Sequence, residues 1–275
     1  MYSDQRAVLT SKHQKLPLIA PHFQEHLNLD VVEVALDTDL LGTFSGEVPR
    51  TGTPLETAIA KARLGMAEAN SLLGIASEGT IGPDPLVPFA ISNIEVLVFI
   101  DDQLGLVVSE THRSLDIAHG SFTTTTGQDL QEFLTKVGFP NQGLIVRPGA
   151  GLPAVAKGIT GEPELQEAIS EALAASGLAH LECDYRAMHS PTRRLNISFA
   201  AKQLAQRIAN HCAECNMPGW GKLSYERGLS CEGCGEFDGD AVTAELLGCV
   251  SCSHTELNRV ISESLSPARC QSCNP

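Results

Sequence analysis

The chain has 275 residues, 43% of them hydrophobic, and a formal net charge of -14 at pH 7; that length and composition suit one large or two modest domains with a true core. No apolar stretch reaches the roughly 18 residues of a membrane span, and Met1 to Lys15 lacks the order of a secretory signal, so the expectation is a reduced, cytoplasmic protein. The acidity argues against tight, sequence-independent binding of nucleic acid, whose affinity grows with the number of phosphates neutralised.

In chain order, strand-like and helix-like segments alternate. "RAVLT" (Arg6 to Thr10) reads as a first strand before the polar turn "SKHQK", and "DVVEVAL" (Asp30 to Leu36) as a second. A turn-rich stretch, Leu41 to Gly52, leads to the clearest helix, "TPLETAIAKARLGMAEAN". Thr53 at the N-cap, Pro54 at the first helical position and Glu56 two residues later form a capping box. Leu55, Ile59, Ala62 and Met66 form the apolar stripe expected for it. "LLGIAS" reads as a buried strand ending at Glu78-Gly79, and "IEVLVFIDD" and "LGLVVSE" as a hairpin across Asp101-Asp102-Gln103. "DLQEFLTKVG" is a helix closed by Gly138. "GLIVRP" and "AVAKGI" follow as strands, then the helix "EPELQEAISEALAASG" and a last strand "AHLECD". The fold class predicted is α/β, a mixed sheet with flanking helices.

Four CxxC knuckles crowd the C-terminus: Cys212/Cys215, Cys231/Cys234, Cys249/Cys252 and Cys270/Cys273. Each knuckle aims two thiolates at one ion, so eight thiols match two structural Zn2+ ions in Zn(Cys)4 sites of a small zinc-ribbon-like domain. The gaps between successive knuckles are 15, 14 and 17 residues. The outer two match single-site spacing, which favours pairing the first knuckle with the second and the third with the fourth; interleaved and nested pairings stay open. The ninth cysteine, Cys183, reads as a small buried hydrophobe. From His211 to Pro275 there are four Lys/Arg against nine Asp/Glu, so this tail lacks the basic face of a nucleic-acid binder. The domains expected are 1–185 (α/β), 186–210 (a basic connecting helix) and 211–275 (double zinc knuckle). The connector carries Arg186, Arg193, Arg194, Lys202 and Arg207. It concentrates positive charge suited to a phosphate-bearing ligand, and its apolar face is Ile197, Ala201, Leu204 and Ile208.

No Walker A, GxGxxG, HExxH or GxSxG motif occurs. Acids and bases instead follow predicted strands: Lys12 and Lys15 after the first, Glu78 beside Gly79 and Gly82, and Asp101-Asp102 after another. Ligands of α/β sheets bind beyond the carboxyl ends of strands, where carboxylates can hold Mg2+ and lysines can meet phosphates. Each also has a plain structural reading: Glu56 as a cap, Asp101-Asp102 as turn residues, the lysines as solvated. Glu78 has none.

The order "TSKHQK", "TGTPLETAIAKARLGMAEA", "GIASEGTIG", "VLVFIDD" resembles the house-cleaning nucleoside triphosphate pyrophosphatases, the inosine/xanthosine triphosphatase superfamily, over Ala7 to Asp102. The resemblance implies a Mg2+- or Mn2+-dependent hydrolase. Lys15 would be the phosphate-binding lysine, with Thr10 and Ser11 as small turn residues. Glu56, Glu78 and Asp102 would be acids of the catalytic site, holding the metal. Lys12 stands where that family has an asparagine, and "SPTRR", with Arg193 and Arg194, is the one candidate for its base-recognition end. The full-length layout resembles an uncharacterised bacterial family, a domain of unknown function with C-terminal zinc knuckles. Two functions follow as expectations. One is hydrolysis of a nucleoside triphosphate or related phosphate ester. The other is a non-catalytic nucleotide- or protein-binding module with a structural zinc ribbon. Lys12, Lys15, Glu78 and Asp102 are expected to share one cleft.

Overall fold

A computed structural model describes residues 1–37, 52–87 and 89–275. The chain divides into two compact units, Met1–Leu204 and Ala205–Pro275.

The first unit holds a five-stranded sheet ordered β2-β1-β3-β4-β5, built from β1 (Arg6–Thr10), β2 (Asp30–Val34), β3 (Leu73–Pro83), β4 (Ile91–Asp101) and β5 (Leu106–Ser114). β1 is parallel to β2 and β3, and β4 runs antiparallel to both of its neighbours. The period-2 alternation sets the two faces. Val8, Ala76, Val98 and Ile100 pack against Ala58, Ala62 and Met66 of α2 (Pro54–Glu68). On the other face, Phe99 meets Phe23 of α1 (Leu16–Leu27) with ring centroids 6.2 Å apart. The chain therefore leaves β1 through a helix on one face to reach β2, and returns through a helix on the other face to reach β3. This reversal makes the carboxyl ends of β1 and β3 a topological switch point.

The capping box of α2 forms as its sequence requires. Thr53 Oγ1 accepts the Glu56 N–H, and the Glu56 carboxylate accepts the Thr53 N–H at 2.8 Å. The buried face differs from the expected stripe: Leu55 is exposed, while Thr57, Ala58, Ala62, Gly65 and Met66 are buried. Small residues win because α2 lies close on the sheet; a Cβ on Gly65 would fall 2.0 Å from Thr10 Oγ1. The helix α1, broken in pattern by Pro17 and Pro21, was not evident in the sequence. Most of the predicted turn-rich stretch before α2 lies outside the described residues.

A second sheet, ordered β6-β9-β7-β8, comprises β6 (Ser121–Thr124), β7 (Leu144–Arg147), β8 (Ala156–Ile159) and β9 (Ala179–Cys183). Leu144, Val146 and Leu181 share a core with Phe133 and Leu134 of α3 (Gln131–Val137) and Leu165 and Ile169 of α4 (Glu162–Ser176). Gly138 takes the left-handed conformation (φ 81°) that closes α3. Cys183 belongs to this core, and burial pushes its thiol up to about 12, as befits an inert packing residue. The helix α5 (Pro191–Ala209) buries the expected Ile197, Ala201, Leu204 and Ile208.

The second unit is a three-stranded antiparallel sheet ordered β10-β11-β12: β10 (Gly221–Ser230), β11 (Phe237–Gly248) and β12 (Thr255–Val260). The knuckles occupy its ends and turns. Among the described residues, no helix is long and apolar enough to cross a membrane.

Candidate phosphate site and zinc centres

Every linker between successive knuckles contains one strand of the sheet. Each strand carries the chain from one end of the sheet to the other, on the order of 30 Å for ten residues. Alternate knuckles therefore meet. Cys212, Cys215, Cys249 and Cys252 form one cluster, and Cys231, Cys234, Cys270 and Cys273 the other. This corrects the sequential pairing favoured by spacing: gap length counts residues, and these residues are extended. Sγ–Sγ distances are 3.8 Å (Cys212–Cys252) and 3.5 Å (Cys215–Cys249) in the first cluster, and 3.8 Å (Cys231–Cys273) and 3.6 Å (Cys234–Cys270) in the second. A tetrahedron with Zn–S bonds of about 2.3 Å has edges of about 3.8 Å, so both donor sets fit zinc. The knuckle turns are preformed. The first cysteine's N–H donates to the carbonyl five residues on in three of them: Cys212 to Met217, Cys231 to Glu236 and Cys249 to His254. The Gly233 and Ser251 N–H groups also donate to the Sγ of Cys231 and Cys249, which favours the thiolate form. Trp220 stacks on His254 (centroids 4.9 Å apart), beside the first cluster.

At the switch point of the first unit, the loop after β1 brings Lys15 back over β3. β1 ends opposite Ala76, so Ser77 and the residues after it have no β1 neighbour. Lys15 Nζ donates to Ser77 Oγ at 2.8 Å. Glu78 points the opposite way from Ser77, towards α2, and there accepts from Lys61 Nζ at 2.6 Å. On the Ser77 face, Glu95 of β4 accepts from Arg193 Nε of α5 at 2.7 Å, and both side chains are fully buried. Asn93 Nδ2 donates to Glu95 (2.9 Å), Asn196 Nδ2 to Asn93 (2.9 Å) and Arg193 Nη1 to the Tyr185 carbonyl (2.6 Å). Gly79 makes room for this pair: a Cβ there would fall 2.5 Å from Glu95 Oε1 and 2.7 Å from Arg193 Nη2. Burial, with the Arg193 charge next, pushes the Lys15 pKa down to about 7, against the pull of Glu95 and Glu78. Five charged groups thus surround this end of β3 within electrostatic reach of one another, Lys61 and Glu78 on the α2 face and Lys15, Glu95 and Arg193 on the other.

Of the four residues expected to share a cleft, Lys15 and Glu78 lie at the same end of β3 but on opposite faces, Lys15 on Ser77 and Glu78 on Lys61, and Asp102 lies elsewhere. Asp102 follows β4 at the far end of the hairpin, where it is partly exposed and pairs with Arg63. Glu78 faces Val96 in register, so the two acids stand about 20 Å apart along the strand. Glu56 stays at its cap, and the Thr53 backbone N–H holds its carboxyl below the usual range. Lys12 is half exposed and bonded to Asp37 at 3.1 Å. Thr10 and Ser11 are buried at the end of β1; Thr10 Oγ1 lies under α2 with no hydrogen-bond partner among the described residues, and Ser11 Oγ accepts the His13 N–H. Arg193 is an internal ion-pair partner, and Arg194 is half-buried beside it on α5. Sequence reasoning missed Lys61, Glu95, Asn93 and Asn196. An acid within the apolar run "IEVLVF", two residues after an asparagine, was the available signal, since a half-buried strand does not carry one without a partner.

A family model described as a domain of unknown function, DUF6671, matches residues 61–275. The chain belongs to this family. The DUF6671 match spans Lys61, Glu78, Glu95, Arg193 and all eight knuckle cysteines, and begins after Lys15 and Glu56. No curated protein matches the chain.

Proposed function

We propose that this DUF6671 protein is a metal-dependent hydrolase of a nucleoside triphosphate or a related phosphate ester, with two structural zinc ions. The observation that carries the reading is the placement of Lys15 and of the Lys61–Glu78 pair, on the two faces of β3, within electrostatic reach of one another at the switch point of the sheet, where open α/β sheets bind ligands. Glu78 is a buried carboxylate, an oxygen donor of the kind a hard divalent ion takes once Lys61 yields it. Mg2+ commonly takes one or two protein carboxylates and completes its shell with phosphate oxygens and water. Glu78 would hold it, and Glu56 and Asp102 are not needed. When bound, the ion supplies Lewis-acid polarisation of the phosphoryl group. Lys15 and Lys61 neutralise phosphate charge as point cations on flexible stems. Ser77 holds the Lys15 ammonium in place, and the Glu95–Arg193 pair, locked by Asn93 and Asn196, fixes α5 against β4.

The test is hydrolysis of a panel of canonical and deaminated nucleoside triphosphates with Mg2+ or Mn2+. Turnover is expected, deaminated purines first, with Glu78→Gln lowering kcat on the order of a hundredfold or more through the lost metal ligand. Neither hydrolysis nor binding across the panel would overturn the reading. One observation favours the second reading, a non-catalytic phosphate-binding module: the Lys61 ammonium already occupies the Glu78 carboxylate. Saturable nucleotide binding without turnover, unaffected by metal, selects that module.

A further inference from the structure

We infer that one face of the β10–β12 sheet docks an extended, basic segment of a partner protein. The register places Leu246 directly opposite Leu257, and Ala244 opposite Val260. Ala244 and Leu246 share a face because side chains two apart on a strand point the same way; Leu257 and Val260, three apart on β12, share it through the register shift that lies between them. Leu223, on a β10 irregularity, lies over Gly248 at the same face; a Cβ there would fall 2.5 Å from Leu223 Cδ2. Leu223–Leu246–Leu257–Val260 therefore form a continuous apolar stripe across all three strands. Leu257 is 56% exposed, Val260 52% and Leu223 49%. Apolar stripes of this kind mark interaction surfaces. The opposite face holds Tyr225 and Leu247 but also a polar group, Lys222, Glu245, Asn258 and Arg259, whose members satisfy one another.

A second feature fixes the shape of the occupant. β12 is the terminal strand of its sheet, and all six of its residues are exposed. A strand with one open edge is a template for another extended chain, whose alternate side chains would continue the apolar stripe. Charge fixes the sign. From Ala205 to Pro275 there are five Lys/Arg and nine Asp/Glu, and each zinc tetrathiolate adds about two negative charges. Glu226 stands in the row of Ala244 and Val260, and Glu256 beside Leu257. A second copy would bring the same negative field against itself, and a nucleic acid would bring phosphates. A segment alternating apolar and basic residues matches both the stripe and the field.

The test uses the full-length, zinc-loaded chain and two labelled peptides of equal length, one alternating Leu and Lys and one alternating Leu and Glu. Fluorescence anisotropy should show saturable binding of the Leu–Lys peptide alone. Leu257→Ser/Val260→Ser, which leaves the charge unchanged, should weaken it by about tenfold or more. Zinc content and Trp220 emission check that the double variant folds; if it does not, Leu223→Ser on β10 replaces it. Equal binding to the variant would mean that the peptide follows net charge only, and would overturn the proposal. So would no binding, or self-association in sedimentation that the same substitutions abolish.

Discussion

Removing thiolates in pairs reads out which knuckles share an ion. Cys215 and Cys252 belong to one cluster, and Cys234 and Cys273 to the other. Structural zinc contributes about 10–16 kcal/mol of binding free energy from four ligands, so losing two donors forfeits the ion against a mild chelator. Cys215→Ala/Cys252→Ala should therefore retain one zinc, and that zinc should resist a chromophoric chelator as in the wild type, because the two clusters lie at opposite ends of strands about 30 Å long. Cys215→Ala/Cys234→Ala takes one thiolate from each cluster, and neither zinc should keep its resistance. Trp220 stacks on His254 next to the first cluster, so its emission should change in Cys215→Ala/Cys252→Ala and stay unchanged in Cys234→Ala/Cys273→Ala. One fully resistant zinc in Cys215→Ala/Cys234→Ala, with none in Cys215→Ala/Cys252→Ala, would refute the alternate pairing.

Arg193→Ala should cost about 3–5 kcal/mol of stability by urea denaturation, because it strands the fully buried Glu95; adding Glu95→Gln should recover a good part of that loss, and a fully exposed-site cost below about 1 kcal/mol would contradict the buried network. Gly79→Ala should destabilise by about 1–3 kcal/mol, since a methyl there displaces a locked ion pair; the check is thermal unfolding with zinc content held constant. Lys15 has a folded pKa depressed to about 7 from 10.5, so between those values the unfolded chain binds the extra proton. Stability should then rise as pH climbs from about 7 towards 10, and Lys15→Met should abolish that part of the slope in denaturation curves taken across the range.

Much of the fold was legible because local signals agreed. Thr53-Pro54-x-Glu56 specified the start of α2, Gly138 the end of α3, and apolar runs flanking Asp101-Asp102-Gln103 the strands β4 and β5. What escaped was non-local. The helix α1 carries Pro17 and Pro21 and a thin apolar face, Ile19 and Phe23, whose burial depends on Phe99 from a distant strand. The knuckle pairing escaped because spacing is one-dimensional, whereas "GKLSYERGLS" and "FDGDAVTAELLG" are extended and carry the chain away from its last knuckle. Asp102 was grouped with Glu78 because both follow apolar runs; the antiparallel pairing of β3 with β4 puts the ends of those runs at opposite ends of the hairpin.

The charge cluster bears on function through its cost. A buried ion pair such as Glu95–Arg193 is weak evidence for stability, because apolar residues of similar volume often do as well or better. Here it recurs beside a second largely buried pair, Lys61–Glu78, and a lysine whose pKa burial lowers to about 7. A fold that needed only a core at this place has Leu97, Phe99 and Ile100 within a few residues on β4 to extend it. Sequences break the local rule of apolar burial chiefly where a site requires it. The cluster stands at the one point of the sheet where the strand order reverses, and that coincidence of cost and position is what turns five buried charges into a candidate site rather than a packing detail.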